Sequence, residues 1–248
     1  MNLLKIKNLT KNYLTKKSVI PAVDKLNLNV DETDFIVLVG PSGCGKSTIL
    51  SIIGGLENKS GGSITFNKKE PIVGYMFQED ALFPWLTVYQ NCILGLKVKN
   101  ILNKDNISYV KYLLNKYGLA SFENSYPNEL SGGMRQRVAL IRTLATKPDI
   151  LLLDEPFSAL DYQTRLKVSD DVYRIIKEEK KTALMVSHDI AEAVSIADKV
   201  IVLTNRPSRI KNIYDIKTDK KEPSKNRDNK LFNYYYNLIW KDLTYHDE

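Results

Sequence analysis

Residues 40–48 read Gly40-Pro41-Ser42-Gly43-Cys44-Gly45-Lys46-Ser47-Thr48 and fit the spacing G-x-x-x-x-G-K-[ST]. Before them, Phe35-Ile-Val-Leu-Val39 is an unbroken apolar run of strand length; after them, Ile49-Leu-Ser-Ile-Ile53 continues as the first turns of a helix. Strand, glycine-rich loop and helix, in that order, form a phosphate cradle. The glycines let the backbone turn its N–H groups inward onto phosphate oxygens, and the helix N-terminus adds partial positive charge. Lys46 can reach β- and γ-phosphates, and the Ser47 hydroxyl can ligate Mg²⁺. The competing reading, a glycine-rich turn with a chance lysine, explains neither the flanking strand nor the helix.

Two further stretches extend the site. In Ile150-Leu-Leu-Leu-Asp154-Glu155-Pro156 a buried strand ends on two acids. Asp154 at the strand end can hold Mg²⁺, and Glu155 can orient or deprotonate a water aimed at the γ-phosphate. Alone, this would equally be a strand ending in two solvated carboxylates. Leu130-Ser131-Gly132-Gly133-Met134-Arg135-Gln136 then offers a hydroxyl and glycine N–H groups at a helix start. Ser131 also suits a plain helix cap. One nucleotide does not need a second anion site in the same subunit, so the pair implies a nucleotide shared between two subunits.

The bulk properties limit the remaining possibilities. The 248 residues carry a formal charge of +7, and 43 % of them are hydrophobic, as in an ordinary globular protein. No apolar run reaches bilayer length, and the N-terminus Met1-Asn-Leu-Leu-Lys-Ile-Lys7 has no secretory core, so a cytosolic chain is expected. The basic excess is scattered, at Lys68-Lys69, Lys180-Lys181 and between Lys217 and Lys230, and no nucleic-acid-binding motif accompanies it; no nucleic-acid partner is expected. The two cysteines, Cys44 and Cys92, have no metal-ligand spacing.

The patterning predicts an α/β fold: a P-loop NTPase core of mixed sheet with flanking helices, an N-terminal antiparallel β part, and a helical insertion subdomain. Leu4–Leu9 and Leu26–Val30 alternate as strands; Ser63–Phe66 and Ile72–Phe77 follow as strands. Residues 82–146 read as helices, and from Ile150 strands alternate with helices, with Val168, Val172, Ile175 and Ile176 on one helical face. The expected division is 1–210 for the ATPase domain (1–81 and 147–210 core, 82–146 helical) and 211–248 for an extension. Within the latter, Asp215–Asp228 reads as a polar linker, and Leu231, Phe232, Tyr235, Leu238, Ile239 and Trp240 form a stripe expected to pack on the body.

Gly40–Thr48, Gln78, Leu130–Gln136, Leu153–Pro156, Ser158–Asp161 and Ser187-His188-Asp189 occur in the order of the ATP-binding cassette (ABC) ATPases, which the chain resembles to about residue 210. That resemblance implies ATP and Mg²⁺ as ligands and assigns roles by position. Tyr13 resembles the aromatic that stacks on adenine; its alternative is a core-facing tyrosine. Gln78 resembles the glutamine that touches Mg²⁺ and the attacking water, Asp161 the residue linking the two sites, and His188 the histidine that contacts the γ-phosphate. Two cassettes would close head to tail around two ATP molecules, each held by the phosphate loop of one subunit and by Ser131, Gly132, Gly133 and Gln136 of the other.

Gln78–Asn91, which includes Phe83-Pro84-Trp85, is similar to the matching segment of nitrate/sulfonate/taurine-type import ATPases, a class that also serves thiamine-precursor pyrimidines. Leu203-Thr-Asn-Arg-Pro-Ser-Arg-Ile210 resembles a turn common in that class. The resemblance implies a homodimer on the cytoplasmic face of the membrane, partnered by permease subunits and an external solute-binding protein. Phe83, Pro84 and Trp85 would meet the permease or else pack the insertion; the sequence weighs these evenly. The segment Gly61–Gly74 looks shorter than usual, which leaves its strand pairing open. The alternatives are a soluble ABC ATPase of DNA repair or translation, whose coiled coils or second cassette are absent from this sequence, and a phosphotransferase, which would not need Leu130–Gln136. The transported solute is not legible, because selectivity lies in other subunits.

Overall fold

The computed structural model describes residues 1–16, 18–218 and 223–244. Nine strands form two sheets among these residues. β1 (Asn2–Leu14), β2 (Val19–Asp31) and β4 (Gly61–Phe66) make an antiparallel sheet in the order β2-β1-β4. The pairing of Leu4 with Phe66 and Ile6 with Ile64 resolves the short segment after Gly61: it returns to pair with the central strand β1. β3 (Phe35–Val39), β5 (Val73–Met76), β6 (Ile150–Asp154), β7 (Thr182–Val186), β8 (Lys199–Leu203) and β9 (Ile210–Asp215) form the second sheet in the order β5-β6-β7-β3-β8-β9. Its first five neighbours run parallel and only β9 is antiparallel. The parallel strands are largely apolar because both faces are covered; Phe35 to Val39 are at most 1 % exposed.

α1 (Lys46–Ile53) follows the phosphate loop. α2 (Val88–Val98), α3 (Lys104–Lys116) and α4 (Gly132–Leu144) all lie between β5 and β6, where helices were expected. α5 (Tyr162–Glu178) buries Val168, Val172, Ile175 and Ile176, the face its spacing predicts, and α6 (Ile190–Ile196) follows β7. One face of the core sheet packs on α2–α6, and the other packs on α1 and the antiparallel sheet.

Three expectations are modified. The boundary placed after residue 210 falls at the start of β9, which pairs with β8 inside the core sheet. Part of the expected linker, Pro223–Asp228, is a 3₁₀ helix: Ser224 N–H donates to Asp170 Oδ1 (2.8 Å) and Asn226 Nδ2 to the Ser195 carbonyl (3.2 Å). Residues 219–222 of that linker and 245–248 of the extension lie outside the described residues. In α7 (Lys230–Thr244), Phe232 and Ile239 are buried on the body, whereas Leu231 and Trp240 of the expected stripe stay exposed, because only one arc of the helix faces β8, β9 and α6.

Candidate functional site

The parallel strands deliver the predicted residues to one edge. Leu38 and Asp154 both pair with Val186, so β3, β7 and β6 end level with one another. Beyond these carboxyl ends come the phosphate loop, His188 and Glu155, in the crevice where open α/β sheets bind ligands. The resulting cavity of about 450 Å³ is lined by Ser42, Gly43, Gly45, Lys46, Ser47, Thr48, Glu155, His188 and Arg206.

The loop is held by backbone constraint and side-chain contacts. Gly45 has φ +122°, and a Cβ there would stand 3.0 Å from the Ala22 carbonyl, so only glycine fits. Lys46 is buried, with Nζ donating to the carbonyls of Gly40 (2.9 Å) and Pro41 (3.0 Å). Cys44 is also buried; its side chain packs with the core beneath the loop, and burial pushes its thiol pKa up. Gly40, Pro41 and Cys44 do not line the cavity.

Ser47 Oγ donates to Asp154 Oδ1 (2.8 Å), and Tyr75 OH donates to Asp154 Oδ2 (3.2 Å). Burial pushes the Tyr75 hydroxyl up to about 12, so it stays a donor that fixes the carboxylate. A hydroxyl and a carboxylate converging at a phosphate loop are the hard oxygen donors Mg²⁺ requires, and Ser47 and Asp154 fit that ion. Glu155 Oε2 and His188 Nδ1 are 2.8 Å apart. Glu155 sits at φ +43°, unusual for a glutamate, held by its N–H to the Val186 carbonyl (3.1 Å) and by Ser158 Oγ donating to its carbonyl (3.0 Å). Tyr13 is 38 % exposed, with OH 3.4 Å from Thr48 Oγ1 and Lys11 Nζ 4.7 Å from its ring centroid. It is a surface ring beside the loop, not a core tyrosine. Gln78, two residues past β5, is exposed and does not line the cavity.

The remaining predicted residues gather elsewhere. Ser131, Gly132, Gln136 and Asp161 line a second cavity of about 640 Å³ with Glu79, Asp80, Arg135, Ala159, Leu160 and Thr164. It shares no lining residue with the first. Ser131 caps α4 by accepting from Met134 N–H (3.3 Å), so the capping role holds beside any ligand role. Asp161 caps α5; its hydrogen bonds from Thr164 hold its carboxyl below the usual range. Gly133 is buried where a Cβ would meet Val168 Cγ2 at 2.7 Å, so this glycine also permits the α4–α5 approach. Gln136 is 3 % exposed, and its Oε1 has no hydrogen-bond partner.

Sequence reading missed Tyr75, Arg206 and Glu192. Arg206 donates to the Gly43 carbonyl (2.7 Å) at the cavity rim. Glu192 is 6 % exposed and accepts from Ser187 Oγ, the residue before His188; burial pushes its carboxyl up to about 7. Arg206 lay within a turn read only as a subclass mark, and the other two have no spacing that ties them to a phosphate loop.

A phosphate cradle, a cation-ligand pair and an acid beside a histidine, at one edge of a parallel sheet, define a P-loop ATPase. The chain belongs to the ABC transporter family, whose model matches residues 23–158, and it is one of that family's ATP-hydrolysing subunits. It is 43 % identical to the uncharacterized ABC transporter ATP-binding protein YtlC of Bacillus subtilis over 98 % of this chain and 96 % of that one. It is 38 % identical to the nitrate import ATP-binding protein NrtD of Synechocystis sp., over 92 % of this chain and 88 % of the other. Among solved structures it is similar to the dimeric ATP-binding cassette MJ0796 in a post-hydrolysis state bound to ADP and Pi: TM-score 0.72, 31 % identity, 88 % of this chain and all of that one.

Proposed function

We propose that two copies of this chain close head to tail on two ATP molecules and energise uptake of a small nitrate- or sulfonate-type solute through a separate permease. The observation that carries this reading is that the Ser131–Gln136 cavity and the phosphate-loop cavity share no lining residue, as expected if two subunits each supply one of them to a nucleotide. The unpartnered Gln136 Oε1 in the second cavity, and the dimer formed by the similar cassette MJ0796, support the same reading.

In this reading Lys46, Ser42, Gly43, Gly45 and Thr48 grip the phosphates, and Tyr13 stacks on the base. Mg²⁺, held through Ser47 and Asp154, would screen phosphate charge. Glu155 takes or orients the proton of the attacking water, and His188 holds Glu155 in place while facing the γ-phosphate. Closure supplies the differential affinity that moves the permease. Residues 82–146 are proposed as the helical subdomain that meets it. The similarity to the nitrate import ATP-binding protein NrtD supports import, and a place on the cytoplasmic face with an external solute-binding protein is proposed with it; among the described residues no helix is long and apolar enough to cross a membrane.

Replacing Ser131 tests the shared site, because Ser131 lies outside the cavity that its own phosphate loop forms. Ser131→Arg should bind ATP with near-parental affinity and lose at least tenfold in ATP turnover. Turnover at the parental rate would refute the sharing of one nucleotide between two subunits.

A further inference from the structure

We infer that Arg206 is a second cationic ligand of the nucleotide phosphates, alongside Lys46; the inference rests on the ATP-site reading above. Arg206 lies in the turn between β8 and β9, which two fixed points hold beneath the phosphate loop. Ser208 is fully buried, with its N–H donating to the Ala22 carbonyl (2.9 Å) and its own carbonyl accepting from Asp24 N–H (3.0 Å). Arg209 Nε donates to Asp24 Oδ2 (2.9 Å), and Thr204 N–H donates to the Arg209 carbonyl (2.9 Å). The turn thus moves with β2 and β8 and not as a free loop. A Cβ on Gly45 would stand 3.1 Å from Ser208 Oγ, which shows how tightly turn and phosphate loop abut.

From this footing the Arg206 guanidinium reaches the Gly43 carbonyl at 2.7 Å and joins the cavity lining with residues 42, 43 and 45–48. Lys46 and Arg206 are the lysine and arginine of that lining. Lys46 Nζ is folded back onto the loop carbonyls of Gly40 and Pro41, so the rim cation that faces solvent is Arg206. A guanidinium presents five N–H donors in a planar fork, and a bond to one carbonyl leaves capacity for phosphate oxygens. The alternative use of Arg206 is to clamp the Gly43 carbonyl and nothing else. Clamping needs only a donor; phosphate binding needs the charge.

Affinity for MgATP, titrated on the intact protein at several KCl concentrations, separates the two. Arg206→Gln can keep a donor for Gly43 without charge, Arg206→Lys keeps charge, Arg206→Ala keeps neither, and Lys46→Ala serves as reference. The expected result is a roughly 5- to 20-fold weaker affinity for both the Gln and Ala variants, with most of it recovered by Lys. The wild-type affinity should also fall more steeply with salt than that of the Gln variant. A Gln variant that binds as wild type at every salt concentration overturns the inference, whether or not Ala is impaired. If Lys46→Ala also binds ATP normally, the ATP-site reading itself fails; if only Lys46→Ala loses affinity, the failure is confined to Arg206. Melting without nucleotide, unchanged across the Arg206 variants, confirms that the comparison is made on folded protein.

Discussion

At the residue scale the least expected group is Glu192. It sits in the first turn of α6, buried, under the loop that carries His188. Ser187 Oγ donates to its carboxylate, and Asp189 accepts from the Glu192 backbone N–H (3.1 Å). Burial is the main cause of its raised pKa and Asp189 adds to it, while Ser187, Arg165 and His188 oppose it. With a folded pKa of about 7 against an unfolded value of 4.5, folded Glu192 keeps a proton that the unfolded chain releases. Its contribution to stability is whole below the unfolded value and is lost as pH rises towards 7. The difference in melting temperature between wild type and Glu192→Gln should therefore shift against wild type from pH 4.5 to 7 and level off above that. A difference flat across this range would show that the carboxyl is already ionised in the folded chain.

At the scale of the element, the entry to α2 shows how a buried polar residue presents an exposed apolar one. Asn91 is fully buried; its Nδ2 donates to the carbonyls of Phe83 (3.2 Å), Leu86 (3.0 Å) and Thr87 (3.1 Å), and its Oδ1 accepts from Phe83 N–H (2.9 Å). This holds Phe83 and Trp85 at 38 % and 69 % exposure, with ring centroids 5.3 Å apart. Packing inside the insertion, one of the two readings the sequence left open, does not describe these rings. Arg142 ties the preceding carbonyls of Asp80 (2.8 Å) and Ala81 (2.7 Å) to α4, so the segment after Gln78 is braced against the helix that Ser131 caps. Asn91→Ala removes the side-chain partner of the Phe83 N–H and the Leu86 carbonyl and should cost about 1–3 kcal/mol in chemical denaturation. Phe83→Ala combined with Trp85→Ala should change stability by less than about 1 kcal/mol yet reduce copurification of a multi-span permease from solubilised membranes. Unchanged copurification would remove the aromatic pair from the permease contact, and unchanged stability of Asn91→Ala would make its hydrogen bonds dispensable.

At the scale of the whole molecule, the two half-sites predict that the dimer depends on ATP. Glu155→Gln keeps the hydrogen-bonding shape beside His188 and removes the base, so it should bind ATP, lose more than about 100-fold in hydrolysis, and run as a dimer in sizing chromatography only with ATP present. A monomer that hydrolyses ATP at the parental rate would remove Glu155 from the chemistry. The sequence alone determined the phosphate loop, the Asp154-Glu155 strand end, the Ser131 helix start and the α/β class. Each is a local pattern in which spacing dictates backbone geometry, and a glycine-rich loop ending in Gly45-Lys46-Ser47 between an apolar strand and a helix has few other uses. Tertiary structure alone decided that Tyr75 fixes Asp154 from 79 residues away, that Arg206 meets Gly43 across 163, and that Glu192 lies buried under the His188 loop. It also decided that β9 joins the core sheet and that Phe83 and Trp85 face outward. These facts follow from which strands lie side by side and which faces they cover, and no spacing within a short stretch of chain encodes that.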